Sequence, residues 1–368
     1  MKQSVSLFIL FLLAACLPVP AVRETTLPPP HVVIETMTPS PVPTLTLTPS
    51  LTPTVEQLLY PYTIEGLRQH TFRRGTIHIR STLEETDAYT SYLIDYPSDG
   101  LTITGVMLIP VGEGPFPVIV MNHGFYSRNV YHTGDGTDRA SAYLAKRGYI
   151  TLASDYRSWG ESDVDTSLFY SGLAIDVVNL INAVSSIPEA DPSRIGMWGH
   201  SMGGGVTMKV LTIDGRVDAA VLYSTVSADQ ADIIERWGNG CFGDIEQGEQ
   251  LWGCNSSDIV QLELPLNLQT AYRRAAEDAD LLKEISPIYH LEYVTAPVQI
   301  HYGTEDGEDY AGTPPEWSKK LYEALKDAEK NVELFGYDEQ GHSFKPDPWF
   351  AFMGRVGRFF DANVKNAQ

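Results

Sequence analysis

The pentapeptide Gly199–Gly203, which reads GHSMG, constrains this sequence more than any other feature. It fits the G-x-S-x-G pattern of a nucleophile elbow, in which a strand breaks sharply into a helix and exposes a serine hydroxyl at the turn. Glycines suit so tight a bend, because side chains there would collide with neighbouring backbone. The preceding residues Arg194–Trp198 are typical of a short buried strand, and the following Gly204–Leu211 of a packed helix. The sequence therefore predicts that Ser201 lies between a strand and a helix.

From about residue 60 onward, short apolar runs alternate with amphipathic stretches. This alternation is typical of a mostly parallel sheet covered by helices, and it predicts the α/β class. The runs that indicate buried strands are Pro117–Met121, Tyr149–Ala153, Ile195–Trp198, Ala219–Tyr223 and Val298–Tyr302. Two further segments, Ser91–Tyr96 and Leu101–Ile109, flank the turn residues Ser98–Gly100 and predict an antiparallel hairpin at the sheet edge.

The first fifteen residues have the pattern of an export signal. Lys2 precedes the apolar run Val5–Leu13, which is too short to span a bilayer but right for a secretory signal peptide. The segment Leu13–Cys16 resembles the lipobox of bacterial lipoproteins, which implies that Cys16 becomes the lipid-modified first residue of the mature protein. The alternative is a soluble secreted protein that is cut elsewhere in the same region. We expect an extracytoplasmic protein, anchored by lipid to the bacterial cell membrane or surface.

Residues 16–56 form a second region, which is rich in Thr, Pro and Ser from about Glu24 to Glu56. Such a segment cannot bury enough apolar surface to offset its ordering entropy, so we expect a disordered tether that extends up to roughly 100 Å at about 3.1 Å per residue. The catalytic domain is predicted to span residues 57–368. The formal net charge of −21 disfavours nucleic acid and anionic lipid headgroups as partners.

The stretch from about 227 to 284 breaks the alternation and lacks a clear strand. Its place between two predicted sheet strands suggests an inserted lid over the site, with a surface embellishment as the alternative. It holds Cys241 and Cys254, and an exported protein with two close cysteines favours a disulfide between them. A metal pair or a reactive thiol is the other reading, and no histidine lies nearby to support it.

A serine hydroxyl needs a base to take its proton and a third group to orient that base. For the base the sequence offers His342, which follows the apolar run Val332–Phe335 and precedes an amphipathic C-terminal stretch. For the acid we choose Asp306, three residues beyond Gly303 at the end of a predicted strand. The alternatives Glu305, Glu308 and Asp309 stay open, since a run of acids is usually a solvated loop or occasionally a calcium site.

Negative charge on the carbonyl oxygen needs two preorganised donors, which form an oxyanion hole. One candidate is the backbone N–H of Met202, directly after the serine. The other is the N–H of Phe125, because Gly124 allows close backbone approach after the strand that ends at Met121. A simple strand-to-helix turn is the alternative for this loop.

These residues together carry a family resemblance. The matching segments are His123–Phe125, Asp155–Ser162, Gly199–Gly203, Ser286–Ile288, Gly303–Asp306 and Gly341–Phe344. In this order they resemble the catalytic domain of the prolyl oligopeptidase (S9) family and its feruloyl and cinnamoyl esterase relatives, over about residues 90–362. The resemblance implies an eight-stranded α/β-hydrolase fold with Ser201, Asp306 and His342 as a triad. Only about forty residues, roughly one propeller blade, separate tether and hydrolase, which excludes a gated oligopeptidase.

The predicted activity is cleavage of a carboxylic ester or an amide through an acyl-enzyme, without metal or organic cofactor. A small-molecule ester or a short peptide is the expected substrate, and an S9-type peptidase acting on short peptides is the first alternative. A non-catalytic binding lipoprotein is the alternative from another class, although the sequence keeps the nucleophile, base and acid. A metal-dependent hydrolase has little support, because no H-E-x-x-H motif or comparable ligand cluster occurs.

Overall fold

The computed structural model describes residues 53–238, 240–242, 255–260 and 264–366. The predicted signal peptide, Cys16, Cys254 and nearly all of the predicted tether lie outside these residues. The first helix among the described residues begins at Val55, within the last residues assigned to the tether. Thr54 caps this helix by accepting a hydrogen bond from the Gln57 N–H, and the Gln57 side chain accepts one from the Thr54 N–H.

A nine-stranded mixed sheet forms the centre of the protein, with strand order β1-β2-β3-β5-β4-β6-β7-β10-β11. The pairings among β1, β2, β3 and β5 are antiparallel, and the other five are parallel. The strands are β1 (His78–Glu85), β2 (Tyr89–Ser98), β3 (Leu101–Pro110), β4 (Phe116–Asn122), β5 (Ile150–Ser154), β6 (Ala190–His200), β7 (Ala219–Tyr223), β10 (Val298–Gly303) and β11 (Val332–Tyr337). The predicted mostly parallel α/β sheet is confirmed, with nine strands where the resemblance implied eight.

The hairpin predicted from the sequence is β2 and β3, joined through Asp99 and Gly100. Both turn residues have positive φ, 50° and 91°, as a two-residue turn that follows the strand twist requires. The outer strand β1 has no counterpart in the sequence prediction. All eight of its residues are exposed, and its pairing with β2 shifts register twice, so no alternating apolar pattern marks it.

Helices cover both faces of the sheet. They are α1 (Val55–Leu59), α2 (Ile64–Arg68), α3 (Asp138–Ala145), α4 (Ser171–Ala183), α5 (Met202–Ile213), α6 (Gln230–Trp237), α7 (Leu266–Ala275), α8 (Ala279–Ile285), α9 (Pro315–Asp327) and α10 (Pro346–Phe360). Successive residues of β4 face opposite layers: Val118 and Val120 pack with α4, α5 and α9, while Ile119 and Met121 pack with α3 and α10. The sheet therefore separates two hydrophobic cores.

Within the described residues, one helical segment, 168–186, is long and apolar enough to cross a membrane, and 89% of its apolar window is buried inside the protein. Such burial is what the central helix of a packed α/β layer requires.

The predicted insert, 227–284, contains α6, α7 and α8. It also contains a small parallel sheet of β8 (Gly240–Phe242) and β9 (Asn255–Val260), so the expectation that it lacks a strand was wrong. Their sequences, GCF and NSSDIV, contain no continuous apolar run and no clear alternation that would mark a strand. Leu59 of α1 packs with Tyr272, Leu281 and Ile285 in a third apolar cluster. Cys241 lies in β8, while its predicted partner Cys254 is outside the described residues.

Candidate active site

Ser201 lies at the sharp turn between β6 and α5, as its motif predicts. Its backbone has φ 55° and ψ −122°, a conformation that residues with a Cβ rarely adopt. Two hydrogen bonds hold it there: its N–H donates to the carbonyl of Tyr223 at 2.9 Å, and its carbonyl accepts from the N–H of Val226 at 3.1 Å. The turn is therefore fixed to the end of the neighbouring strand β7.

The two motif glycines are required by contact with backbone. A Cβ on Gly199 would lie 2.3 Å from the carbonyl oxygen of Gly203, and a Cβ on Gly203 would lie 2.0 Å from that of Asn122. Neither approach leaves room for a methyl group, because the opposing atoms belong to backbone that cannot rotate away. The elbow thus depends on these glycines for its shape.

Asp306 and His342 meet at the same edge of the sheet, each in a loop that follows a parallel strand, β10 and β11 respectively. The Nδ1 atom of His342 lies 3.1 Å from both carboxylate oxygens of Asp306. The Asp306 side chain is fully buried, whereas that of His342 is 29% exposed. The structure brings these two predicted residues together, and the alternatives Glu305, Glu308 and Asp309 are all exposed.

Thr313 is part of this arrangement, and the sequence analysis did not identify it. Its N–H donates to Asp306 at 2.9 Å, and its hydroxyl lies 2.8 Å from the other carboxylate oxygen. The same hydroxyl is 3.0 Å from the Ser224 carbonyl and 3.4 Å from His342 Nδ1. A threonine seven residues after the acid carries no motif, so the sequence held no signal for this contact.

The charge state of Asp306 follows from these neighbours. Burial alone would raise the pKa of its carboxyl group, but the hydrogen bond and positive charge of His342 and the two hydrogen bonds from Thr313 outweigh it. The pKa of Asp306 therefore lies below its ordinary value of 3.8. The carboxylate is ionised at neutral pH and can orient an N–H of the imidazole.

His200 connects the elbow to His342. Its Nε2 lies 3.1 Å from the backbone carbonyl of His342, and the two rings are 4.9 Å apart between centroids. The other face of His200 stacks on Tyr223 at 4.5 Å. Burial and the charge of His342 lower the pKa of His200 to about 3, so this ring is neutral and donates its Nε2 hydrogen to the carbonyl.

The His342 ring thus lies in contact with the residue that precedes Ser201. In the part of the chain that the structure describes, no hydrogen bond joins the Ser201 hydroxyl to the imidazole. Catalytic hydrogen bonds are often long before substrate binds and tighten in the complex. A serine–histidine pair without this hydrogen bond is therefore compatible with the protein before substrate binds.

The loop after β4 passes close to Ser201. A Cβ on Gly124 would lie 3.1 Å from the Cβ of Ser201, so a side chain there would be crowded and glycine favours this approach. The N–H groups of Phe125 and Met202 donate to no acceptor among the described residues. His123 braces the loop: its Nδ1 lies 2.6 Å from the Gly124 carbonyl, and burial lowers its pKa.

A cavity of about 550 Å³ opens beside His342. The residues that line it include Glu305, Asp306, Glu308 and Asp309, the run in which a calcium site was an alternative. Among the described residues, no group of three or more His, Cys, Asp or Glu side chains is arranged to hold a metal ion.

A sequence profile of the family described as X-Pro dipeptidyl-peptidase (S15 family) matches residues 99–334, more than half of the 368 residues. The chain is 32% identical over 126 residues to an uncharacterized 31.7 kDa protein of the traX-finO intergenic region of Escherichia coli, covering 34% of this chain and 42% of that protein. It is 24% identical over 260 residues to esterase EstD of Thermotoga maritima, covering 65% and 57%. The chain therefore spans about half the length of these relatives.

Solved structures agree on the fold. An acetyl xylan esterase from Paenibacillus sp. R4 aligns with a TM-score of 0.58 at 19% identity, covering 86% of this chain and 97% of that enzyme. The motifs predicted a likeness to serine peptidase and esterase domains, and this prediction is confirmed. The family whose profile matches is S15, whereas the motifs resembled S9.

Proposed function

This chain belongs to the X-Pro dipeptidyl-peptidase (S15) family and is a serine hydrolase of the α/β-hydrolase fold, and from that premise we propose that it cleaves carboxylic esters through an acyl-enzyme on Ser201. The observation that carries the proposal is the Asp306–His342 pair, whose ring lies against the elbow through His200. A buried, ionised carboxylate behind an imidazole, next to a strained serine turn, is an arrangement that nucleophilic catalysis requires.

The proposed reaction proceeds in two halves. The Ser201 oxygen attacks the carbonyl carbon while His342 takes the hydroxyl proton, and Asp306 holds the other ring nitrogen in its protonated form. The N–H groups of Phe125 and Met202 stabilise the negative charge on the oxygen. His342 then gives its proton to the departing alcohol, and water, activated by the same imidazole, releases the carboxylic acid and restores the serine.

We favour an ester over an amide substrate for a chemical reason. An alcohol leaves with less protonation than an amine. Two of the similar proteins, EstD and the acetyl xylan esterase, carry esterase names. The second candidate is a peptidase acting on short peptides, which the description of the matched family favours. Under either activity we propose that the enzyme works outside the cytoplasm, held at the membrane by a lipid on Cys16.

The first experiment asks whether Ser201 is a nucleophile at all. A fluorophosphonate probe should label the purified protein stoichiometrically, and the label should be absent from Ser201→Ala. Ser193→Ala is the matched control, because Ser193 is an exposed serine on the same strand, β6, and should leave labelling intact. A folded wild-type protein that resists the probe would instead support a non-catalytic binding lipoprotein.

The second experiment separates the two substrate classes. Short p-nitrophenyl esters and Xaa-Pro anilides are compared by kcat/KM on the same preparation, with Ser201→Ala as the blank. We expect ester turnover to exceed anilide turnover. Faster cleavage of the anilides would transfer the assignment to the peptidase.

A further inference from the structure

The last turn of α6, at the start of the insert, forms hydrogen bonds with the loop that carries Asp306. The guanidinium Nη2 of Arg236 donates to the carbonyls of Gly307 at 3.0 Å and Asp309 at 2.8 Å. The indole N–H of Trp237 donates to the carbonyl of Tyr310 at 2.7 Å. Three backbone carbonyls within four residues are thus held by two adjacent side chains of the insert.

The loop transmits any displacement to the carboxylate, because it closes tightly around Asp306. Gly307 has φ +84°, and a Cβ there would lie 2.7 Å from the backbone of Pro314. A Cβ on Gly312 would lie 2.6 Å from the Asp306 carboxylate oxygen. Among the described residues, His342 and Thr313 supply the hydrogen bonds to the Asp306 carboxylate. Two of these bonds come from Thr313, which lies at the end of the loop. A loop that shifts by a fraction of an ångström therefore shifts Asp306 and its donors together.

Aromatic rings fix the geometry of the two side chains. The Arg236 guanidinium lies 5.8 Å from the ring centres of Trp237 and Tyr310 and 6.0 Å from that of Trp317. Trp237 meets Trp317 of α9 edge to face at 5.2 Å. Guanidinium–ring attraction strengthens where water is excluded, and the Nε atom of Arg236 is buried. The arginine is held in one orientation and so offers its donors at fixed positions.

We propose that Arg236 and Trp237 are positioning residues that hold the 306–313 loop, so that the insert sets the alignment of the triad carboxylate. The proposal rests on the assignment of Asp306 in the proposed function. Under this proposal the insert contributes to the chemical step by positioning the carboxylate, whereas a lid alone would only cover the site. A misplacement of about 1 Å in a catalytic geometry costs on the order of 100-fold in rate, so even a partly released loop is measurable.

The test compares a double variant, which carries both Arg236→Met and Trp237→Phe, with the wild-type full chain. Methionine keeps an apolar stem without donors, and phenylalanine keeps a ring against Trp317 without the N–H. We expect kcat on a p-nitrophenyl ester to fall about 10- to 100-fold with KM changed less than about threefold.

The matched control is Arg68→Met. Arg68 also donates to a backbone carbonyl, that of Thr212, and stacks on a ring, but it does so at the far end of α5 from Ser201. We expect this control to keep kcat and KM within about twofold of the wild type.

The outcomes separate the two proposals. A wild-type protein that neither takes the fluorophosphonate nor turns over esters would refute the proposed function. An active wild type with a double variant of unchanged kcat would refute only the positioning role. If the double variant does not fold, Trp237→Phe alone removes one N–H and should lower kcat about threefold or more with KM unchanged, and wild-type kcat in that variant would refute the role equally.

Discussion

The backbone of Ser201 should store strain that a single substitution can release. At φ 55° and ψ −122° the Cβ atom is the source of the strain, so removing the hydroxyl alone does not relieve it. Ser201→Ala keeps the Cβ, whereas Ser201→Gly removes it, and neither variant can act as a nucleophile. The comparison of these two inactive variants therefore isolates the conformational cost of the turn from the chemistry of the hydroxyl.

The magnitude follows from two opposing terms. A residue held in a sparsely populated backbone region costs about 1–3 kcal/mol, which glycine avoids. Glycine loses more backbone entropy on folding, and this costs about 0.5–1 kcal/mol. The net gain of Ser201→Gly over Ser201→Ala is therefore about 1 kcal/mol. Since 1 kcal/mol moves the melting temperature of a domain of 150–250 residues by about 2–4 °C, the expected difference for this larger domain is about 2 °C.

Thermal unfolding followed by circular dichroism at one pH measures this difference, and fluorophosphonate labelling checks that both variants are inactive. Ala142→Gly in the middle of α3 is the control, because glycine in an ordinary helix should lower stability by about 1 kcal/mol. A Ser201→Gly protein that melts at or below Ser201→Ala would refute the reasoning, since the turn would then carry no strain from the Cβ.

Four further predictions follow from the same geometry. Gly203→Ala should abolish labelling and lower stability by more than about 3 kcal/mol in urea, because its Cβ meets backbone at 2.0 Å, whereas Gly341→Ala, beside the base but with open space around it, should change neither. The pKa of Asp306 is lowered from 3.8 in the folded protein, so its ionised carboxylate stabilises the fold above pH 3.8, and this stabilisation is lost as pH falls through the folded pKa. Urea unfolding between pH 6 and 3 should therefore show a steeper loss of stability for the wild type than for Asp306→Asn. Thr313→Val should lower the free energy of unfolding at pH 7 by about 1.5–3 kcal/mol, the range for a hydrogen bond to a charged group, and an unchanged urea midpoint would contradict the ionised carboxylate. Cys16→Ser should move the protein from the membrane fraction to the soluble fraction of fractionated cells, and retention at the membrane would contradict the lipid anchor.

The sequence was informative where the chemistry is local. The elbow follows from glycines that adjoin the serine, and the hairpin follows from two turn residues that both need positive φ. The central strands were predicted well because parallel strands buried on both faces are continuously apolar, and Ala219–Tyr223 was predicted with its observed bounds. These features depend on a few consecutive residues, so a pattern can reveal them.

Contacts between distant segments left no such pattern. Asp306 stood among four acids in the sequence, and its burial against Thr313 and its contact with His342 distinguish it from its neighbours. Strand β1 is exposed along its whole length, so it has no buried apolar face that a sequence pattern could reveal. Arg236, in the last turn of α6, is 71 and 73 residues away from the two carbonyls it holds, those of Gly307 and Asp309, and neither partner has a motif.

The two halves of the site are held in different ways, which bears on how such a hydrolase can change its substrate range. Backbone atoms fix the nucleophile: glycine contacts shape the elbow, and hydrogen bonds join Ser201 to strand β7 and to Val226. Side chains from the insert and from Thr313 hold the carboxylate loop. Backbone contacts tolerate little change, whereas side-chain contacts can be replaced one at a time. Remodelling the insert for a new substrate would therefore disturb the carboxylate before the serine, and any viable change there has to preserve the donors that hold the 306–313 loop.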